Sequence, residues 1–574
     1  MIKTISIKQY RKLKGFDLIF SPEINFISGA NGTCKSSLLH MASNSFQRVK
    51  SSDSRVNDKK SIEIVYGINS SVNPKIETLT RGDKEYNDPA NGVKGTLFSV
   101  NYTNGQTLDF RRHNSDNAGG SRYAIKPKYP PKKKEKLPAL PVIYLGLTRL
   151  YPLGEFQKDS ELVHLRQKLP ESYQADLCKL YQDLTNIEIL SSHPQKMGDV
   201  KFRNDFSTNK NGVDSNTISA GEDNILIVLT ALISLKYYFE TLTQTESDVE
   251  SLLVIDEFDA TLHPALQVRL LELCRQYSRQ YKIQIIATTH SLSLIEYALQ
   301  QGDNVIYLKE NLEQVDLMPE PDITKIKMDL KTLARKDIYE GKKIPIFTED
   351  AQARCFLNII LDYWSEKDRA FRYIRNCFHL AEAPLSCEAL RHIFKDKVLC
   401  RIMRAVCILD GDQNKDIGNY IIALPGKDSP EKFIFAYLKK LYEENSDFWR
   451  HQDVIDMGYD ATYFRTHILS EIQKVEAEIA EKTEIKNGKD TKVEGESSSK
   501  KSSTKGLLRE KFKKIWEDNL EFMEVALKYW LNDPQNQNSI LDFIGDLNTM
   551  FRKTAAFHGI NNKEWLFSRE ISNV

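Results

Sequence analysis

Residues 26–37 constrain the fold more than any other stretch, because a glycine-bearing turn there separates an apolar segment from a helix-like run. A strand, such a turn and a Lys-Ser pair at a helix start are the layout of a phosphate-binding loop. Unpaired N–H groups of the loop and of the helix N-terminus converge on one spot, and the helix dipole favours an anion there. The residues of this loop are Gly29, Ala30, Asn31, Gly32, Thr33, Cys34, Lys35, Ser36 and Ser37. We therefore expect these residues to bind the phosphates of a nucleotide.

Three residues of the loop carry more specific expectations. Lys35 would reach the β- and γ-phosphates, and the Ser36 hydroxyl would ligate Mg²⁺. Cys34 stands where glycine usually precedes the lysine. The loop can still bind phosphate through its backbone, provided that Cys34 does not need a positive φ.

Length and composition limit the class of protein. The chain has 574 residues, which is enough for two or three domains. Lys+Arg 80 against Asp+Glu 79 gives a net charge of +1, so the overall charge does not decide about nucleic acid. The 8 cysteines include no C-x-x-C pair, which favours a reducing compartment and no structural zinc. No secretory h-region is visible, and the apolar run 225–235 is shorter than the roughly 20 residues of a membrane span, so we expect a cytoplasmic protein without a membrane segment.

The segment after the loop is interpreted as a β-rich insertion. Residues 50–140 combine polar turns with short apolar runs at 62–66 and 96–100, which we interpret as strands. The Lys- and Pro-rich stretch 126–136 cannot pack as a helix or a central strand. Clustered lysines bind phosphate by counterion release, so this stretch is either a nucleic-acid contact or a solvated linker. Residues 159–195 are expected to be helical from the spacing of their leucines.

A second anion-binding turn precedes a long apolar helix. Ser219, Gly221 and Glu222 lie directly before the run 225–239. A hydroxyl and free N–H groups at a helix start can meet a γ-phosphate. The same residues can also serve only to cap the helix, and the turn on its own does not decide between the two roles.

Two buried strands further along the chain end in polar side chains. The aliphatic run 252–255 is followed by Asp256 and Glu257, and the strand-like segment 284–288 leads to His290. Parallel strands bring such residues to the carboxyl edge of a sheet, where α/β proteins bind ligands. Asp256 would hold Mg²⁺ through water, and Glu257 would polarise the attacking water. His290 is placed to sense the γ-phosphate.

After residue 310 the chain changes character. One strand ends at Glu349, and a later strand ends at the acid pair Asp410 and Asp412. Clustered carboxylates hold hard divalent cations, which prefer oxygen ligands, beside a scissile phosphate.

The four elements of the first half, in this order, resemble ATP-binding-cassette (ABC) ATPases of the SMC/RecF/OLD type. Residues 29–37 are similar to Walker A, 219–222 to the signature motif and 252–257 to Walker B, while Asp259 and His290 are similar to the D-loop and the switch histidine. The resemblance implies an α/β P-loop ATPase head that uses ATP and Mg²⁺, with Glu257 and His290 as catalytic residues. In this family ATP lies between the Walker motifs of one subunit and the signature turn of another, which implies a head-to-tail homodimer or a higher oligomer.

The second half resembles the TOPRIM fold of OLD-family nucleases, because a strand-end glutamate is followed by a D-x-D pair. The resemblance implies a metal site at Glu349, Asp410 and Asp412. Asp350 departs from the pattern, since glycine usually follows the glutamate. A TOPRIM-like scaffold without nuclease activity is the alternative.

These resemblances predict three regions. They are an ATPase domain at 1–310 with its insertion at about 50–140, a TOPRIM-like domain at 311–450, and a helical C-terminal region at 451–574. Within the last region, about 484–506 is low-complexity and is expected to be disordered.

The short segments 31–36 and 147–154, together with the acid-bearing second half, resemble the PtuA family. This family comprises the ATPases of Septu antiphage systems and Septu-type retrons. The resemblance implies an HNH nuclease partner of the PtuB type and, in a retron, a reverse transcriptase with its RNA–DNA product. None of these partners is visible in the residues.

Two hypotheses follow. In the first, the chain is an ATPase subunit whose ATP state gates a separate nuclease. In the second, it is a self-contained ATP-regulated nuclease that cuts through Glu349, Asp410 and Asp412. A RecF-type DNA-repair ATPase is a further alternative, which the acidic residues of the second half disfavour.

Overall fold

The structure is a computed structural model whose chain divides into two compact units, Met1–Leu333 and Ala334–Val574. The residues that it describes are 1–72, 89–90, 92–114, 123–129, 136–156, 159–165, 168–198, 200–245, 247–312, 314–474, 477 and 509–569. We predict the ATPase domain to end at about residue 310, whereas the first unit continues through a further hairpin strand and helix.

Strands of the first unit form one large mixed sheet and one small antiparallel sheet. They are β1 (Ile2–Tyr10), β2 (Leu13–Ile19), β3 (Ile24–Gly29), β4 (Thr96–Tyr102), β5 (Thr107–Asn114), β6 (Tyr123–Lys128), β7 (Val142–Leu145), β8 (Leu162–His164), β9 (Ile189–Met197), β10 (Lys201–Thr208), β11 (Ser251–Ile255), β12 (Ile283–Thr288), β13 (Asn304–Asn311) and β14 (Gln314–Leu317). The large sheet has 11 strands in the order β6-β5-β4-β1-β2-β14-β13-β3-β12-β11-β7, and β8–β10 form the small one.

Helices cover both faces of the large sheet. They are α1 (Lys35–Ser43), α2 (Lys59–Val72), α3 (Glu171–Thr185), α4 (Ala220–Glu240), α5 (Pro264–Tyr281), α6 (Leu292–Gln301) and α7 (Ile323–Lys331). Strand β11 shows the layering, because Leu253 and Ile255 pack in the core that contains α4, whereas Leu252 and Val254 pack in the core that contains α1. Burial on both faces explains why the central strands read as continuous aliphatic runs.

The strand predicted at 62–66 is wrong, because these residues belong to α2. A short run of β-branched and aromatic residues favours a strand, but the longer window has apolar residues at helical spacing, and Ile62 and Val65 are buried. Asp58 supports the helix start, since its Oδ1 accepts a hydrogen bond from the N–H of Lys60 at 3.0 Å. The insertion therefore contains a helix, and its strands β4–β6 extend the large sheet through antiparallel pairing of β4 with β1.

The helix predicted over 159–195 is also too long. Of the described residues in this range, only Glu171–Thr185 is α-helical, and Ile189–Met197 is a strand of the small sheet. Asn186, at φ 57°, ends the helix in the left-handed region, which a short polar residue tolerates.

The second unit contains a parallel sheet of four strands in the order β16-β15-β17-β18. These strands are β15 (Ile344–Thr348), β16 (Phe378–Leu380), β17 (Val406–Leu409) and β18 (Ile421–Ala423). The helices are α8 (Arg335–Ile338), α9 (Ala351–Lys367), α10 (Arg369–Ile374), α11 (Cys387–Lys395), α12 (Lys397–Met403), α13 (Pro430–Glu443), α14 (Gln452–Asp456), α15 (Ala461–Tyr463), α16 (Leu520–Asn532) and α17 (Gln537–Thr554). Residues 509–518 are helical as well.

One core joins the sheet of the second unit to its last helices. Trp530 of α16 packs on Phe356 of α9 and on Phe433 of α13, with ring centroids 5.9 and 4.9 Å apart. The segment expected to be disordered, 484–506, lies outside the described residues. The TOPRIM-like identity of this unit stays a prediction.

Candidate nucleotide-binding site

Four parallel strands of the large sheet bring the predicted motifs to one edge. Strand β3 pairs with β12, β12 with β11, and β11 with β7, all in parallel. The phosphate-binding loop follows β3, and the Thr288–His290 segment lies at the end of β12. Asp256 and Glu257 follow β11, so the carboxyl ends of neighbouring strands present all three motifs together.

Position 29 needs glycine, because the backbone of the neighbouring strand leaves no room for a side chain there. A Cβ at this position would lie 2.2 Å from the carbonyl oxygen of Leu308 on the neighbouring strand β13, and the φ of Gly29 is +149°. Within the loop, the hydroxyl of Thr33 donates to the carbonyl of Ala30 at 2.8 Å, which fixes the turn. Asn31 is exposed at its tip.

Cys34 occupies the left-handed region, with φ 65° and ψ 25°, directly before α1. The condition that it should not need a positive φ is therefore not met. Glycine adopts this conformation without cost, whereas a residue with a Cβ is strained there by roughly 1–2 kcal/mol. The loop keeps the backbone geometry that glycine normally provides, and strain at Cys34 is the consequence.

Lys35 is anchored at the loop. Its side chain is buried, and its Nζ donates to the carbonyls of Gly29 and Ala30 at 2.9 and 2.8 Å. Burial lowers the pKa of Lys35, and the nearby carboxylates of Asp256 and Glu257 oppose that shift. The ammonium thus lies within the electrostatic reach of both acids. Ser36 is exposed at the start of α1, while Ser37 is buried.

Hydrogen bonds join the ends of β11 and β12. The hydroxyl of Thr288 donates to Oδ1 of the buried Asp256 at 2.6 Å and accepts from the N–H of Glu257 at 2.7 Å. One residue further, the hydroxyl of Thr289 donates to Oδ1 of Asp259 at 2.6 Å, and the N–H of His290 donates to the same oxygen at 3.2 Å. These bonds fix Asp256 on Thr288, and they fix Asp259 on Thr289 and on the backbone N–H of His290.

His290 lies near several of these charged groups. Burial lowers its pKa, and the positive charge of Lys35 lowers it further, while Asp259, Glu257 and Asp256 act in the opposite direction. A histidine with a lowered pKa is neutral near pH 7 and can donate or accept a hydrogen bond.

The turn 219–222, which is predicted to be the signature motif, caps α4. Ser219 Oγ accepts from the N–H of Glu222 at 3.2 Å, and the Glu222 carboxylate accepts from the N–H of Ser219 at 2.9 Å. A Cβ on Gly221 would lie 2.5 Å from the carbonyl oxygen of Thr261, so this turn sits against the loop that follows Asp259. Among the described residues, no hydrogen bond joins 219–222 to the loop 29–37 of the same chain.

Arg149 was not identified from the sequence, although it links the two parts of the site. It is 1% exposed, and its guanidinium donates to the carbonyls of Asp256 and Glu257 at 2.6 and 2.8 Å. Its Nε donates to Oδ1 of Asn224 on α4 at 2.8 Å, and Asn224 donates to the carbonyl of Ala260 at 3.1 Å. Burial lowers the pKa of Arg149 to about 10, which still leaves it charged at neutral pH.

The residues present fit a magnesium ion that is shared with a nucleotide. Ser36 offers an exposed hydroxyl, and Asp256 offers a carboxylate at the adjacent strand end. Within the described residues, no group of three His, Cys, Asp or Glu side chains is arranged to hold a metal by itself. Mg²⁺ is usually bound through one or two protein oxygens plus phosphates and water, so Ser36 and Asp256 would suffice as its protein ligands.

The second predicted metal site is not assembled as expected. The carboxylate of Glu349 accepts from the N–H of Asp410 at 3.0 Å, but Asp412 is exposed. In the part of the chain that the structure describes, Glu349, Asp410 and Asp412 therefore do not form a metal-binding group. Another acid of this unit, Glu431 in the first turn of α13, is fully buried.

The chain was compared with known families and structures. Residues 24–296, which are less than half of the chain, match the family model described as "AAA domain, putative AbiEii toxin, Type IV TA system". No curated protein matches the chain significantly.

Solved structures with detectable similarity include two SMC heads. One is bound to the C-winged helix domain of ScpA (13% identity, TM-score 0.29, covering 55% of this chain and 96% of that chain). The other is the SMC head domain from Thermotoga maritima (13% identity, TM-score 0.29, covering 56% and 99%).

The recombination mediator protein RecF with ATPrS is similar at 11% identity, with a TM-score of 0.27 and coverage of 56% and 98%. Similarity at this level does not indicate a function for this chain. The matched residues 24–296 include the loop 29–37, Asp256, Glu257 and His290, whose strands are parallel neighbours in the large sheet.

Proposed function

We propose that this chain binds and hydrolyses ATP with Mg²⁺ between two copies arranged head to tail, and that this ATP state gates a partner HNH nuclease in antiphage defence. One observation carries the ATPase part. Lys35, Asp256, Glu257 and His290 all lie just beyond the carboxyl ends of the neighbouring parallel strands β3, β11 and β12.

Each residue has a distinct role in the proposed reaction. Bound ATP would supply the γ-phosphoryl group. Lys35 would exchange its bonds to the loop carbonyls for phosphate oxygens, and Ser36 with Asp256 would hold Mg²⁺. Glu257 would orient a water and take its proton, while neutral His290 would donate a hydrogen bond toward the γ-phosphate.

The signature turn supports the need for a second copy. Ser219 is exposed at the N-terminus of α4, where free N–H groups and the helix dipole favour an anion. It is not hydrogen-bonded to its own phosphate-binding loop among the described residues. A two-fold dimer would place each turn on the loop of the other copy.

The defence role is supported by two resemblances. The matched family model is described as a putative AbiEii toxin of a type IV toxin–antitoxin system. The segments 31–36 and 147–154 resemble the PtuA family. The partners of this chain would then be an HNH nuclease and, in a retron, a reverse transcriptase with its RNA–DNA product. We propose a cytoplasmic location, in keeping with the 8 cysteines that include no C-x-x-C pair. Among the described residues, none of the helices has the length and the apolar content of a membrane span.

The nucleotide site is tested by binding of a fluorescent ATP analogue to the purified chain. Lys35→Ala removes a charge-assisted phosphate contact and should weaken binding by about 1.5–3 kcal/mol. Lys14→Ala, which replaces an exposed lysine on β2, is the control. Unchanged affinity in Lys35→Ala would overturn the assignment of the loop.

Hydrolysis is tested separately with Glu257→Gln. This variant should bind ATP but fail to turn it over, and it should accumulate as a dimer in light-scattering measurements with ATP. A monomer under saturating ATP would contradict the proposed composite site.

The nuclease role is tested with plasmid DNA and Mg²⁺ or Mn²⁺. The proposal predicts no cleavage by the chain alone and cleavage once an HNH partner is added. Cleavage by the chain alone that Asp410→Ala abolishes would instead establish a self-contained OLD-type nuclease. ATP-dependent DNA binding without any cleavage in either arm would favour a RecF-type repair ATPase.

A further inference from the structure

The second unit contains a buried acidic cluster, which we define as Glu349, Asp350, Asp410 and Glu431. Glu349 and Asp350 follow β15, Asp410 follows β17, and Glu431 lies in the first turn of α13. Asp410 is 2% exposed and Glu431 is 0% exposed. Carboxylates at such depth are costly unless cations or hydrogen bonds compensate them.

Two basic residues of the helical segment 509–518 enter this cluster. Arg509 Nη2 lies 2.7 Å from Oδ2 of Asp410, and its Nε lies 3.1 Å from Oε1 of Glu431. The same Nη2 is 3.5 Å from Oδ2 of Asp350, whose other cationic partner is Lys513 at 2.6 Å. One guanidinium therefore bridges three carboxylates that belong to three separate elements.

The cluster is not fully compensated by these contacts. Oδ1 of Asp410 and Oε2 of Glu431 are buried and have no hydrogen-bond partner among the described residues. Each carboxylate thus uses one oxygen for Arg509 and keeps the other unsatisfied. Two such oxygens beside a shared cation are the donor type that a hard divalent ion prefers, because Mg²⁺ and Mn²⁺ take oxygen ligands.

We propose that Arg509 occupies the cation position of the acidic cluster, so that the cluster binds a divalent cation only when the guanidinium is removed. The intact chain would then hold no divalent metal at Asp410 and Glu431, because the positive charge and the volume of Arg509 exclude it. The inference concerns the second unit and stands independently of the proposed nucleotide site.

The test measures Mn²⁺ binding to the nucleotide-free full chain by the loss of the free-ion electron paramagnetic resonance signal. Arg509→Ala should bind one more Mn²⁺ per chain than the unaltered protein. Adding Asp410→Asn to that variant should abolish the gain. Arg450→Ala, which replaces an exposed arginine paired with Asp447, is the control and should behave as the unaltered chain.

Two outcomes would overturn the inference. One is Mn²⁺ binding by the unaltered chain that Asp410→Asn removes, because the cluster would then accept metal beside Arg509. The other is no gain of Mn²⁺ binding in Arg509→Ala.

Thermal unfolding covers the case in which Arg509→Ala is unstable. Mn²⁺ should raise the unfolding temperature of Arg509→Ala and leave that of the double variant unchanged. Arg509→Lys, which keeps a positive charge, should gain no Mn²⁺-dependent stabilisation. An Arg509→Ala protein whose unfolding does not respond to Mn²⁺ would count against the proposal.

Discussion

At the scale of the residue, Cys34 has left-handed backbone geometry at the position directly before the lysine of the predicted phosphate-binding loop. Its φ of 65° is one that glycine adopts freely. We expect Cys34→Gly to raise the free energy of unfolding by about 1 kcal/mol, because the strain disappears. Urea denaturation measures this change. Cys34→Ala keeps a Cβ and should give no gain; a gain equal to that of glycine would point to the thiol instead.

A second prediction at this scale concerns Arg149. Its guanidinium donates hydrogen bonds to the backbone carbonyls of Asp256 and Glu257 and to the side-chain oxygen of Asn224. Lysine cannot reproduce these parallel bonds. Arg149→Lys should therefore lower kcat for ATP hydrolysis by roughly tenfold or more, in keeping with the roughly 1.5–3 kcal/mol of a charged hydrogen bond. ATP binding at Lys35 should change less.

Steady-state kinetics with separate kcat and KM values checks this expectation. Arg269→Lys is a matched control, because Arg269 also donates to backbone carbonyls, those of Asp183 and Leu184, but outside the site. An equal loss of activity in both variants would show a general effect of arginine replacement.

At the scale of the element, α1 carries a buried histidine directly beneath the loop. His40 is 6% exposed, its Nε2 lies 2.7 Å from the Tyr144 hydroxyl, and burial lowers its pKa from 6.5 to about 4. The fold disfavours the protonated ring, so the stability that neutral His40 contributes is present above pH 6.5 and is lost as the pH falls towards 4.

Lowering the pH from about 7.5 to 5 should cost about 2 kcal/mol of unfolding free energy through His40. His40→Gln does not titrate in this range and should lose that part of the pH dependence. Urea denaturation at the two pH values provides the comparison. Identical pH slopes in the two proteins would show that His40 is not held neutral by the fold.

At the scale of the whole molecule, the proposed dimer makes each site depend on two chains. Lys35→Ala removes the lysine that would contact the phosphates. Ser219→Arg places a bulky side chain on the exposed turn that would face the other copy. Each variant alone should be inactive. A mixture should recover about a quarter of the normal ATPase activity, because half of the random dimers are mixed and each contains one intact site.

Steady-state ATPase assays over a range of mixing ratios measure this recovery. Activity that stays at zero at every ratio would contradict a composite site, provided that co-purification of differently tagged chains shows mixed dimers. Activity in Ser219→Arg alone would show that the turn takes no part.

The sequence predicted some features of this fold because their signals are local. Aliphatic runs that end in Asp256 or lead to His290 identify buried strands, and the structure shows those strands as parallel neighbours. The strand predicted at 62–66 is wrong, because a short β-branched and aromatic run lies within a longer helical pattern. Arg149 is a single arginine after a strand and has no spacing signal. Arg509 meets Asp410 across 99 positions of sequence, and no local pattern encodes such a contact.

The aromatic packing of Trp530 on Phe356 and Phe433 limits how the gene can be shortened. A product that stopped before residue 520 would lack Trp530 and would leave the rings of Phe356 and Phe433 in contact with water. Chaperones and proteases would recognise such a product. Frameshifts late in the reading frame should therefore abolish the protein rather than yield a trimmed, working one.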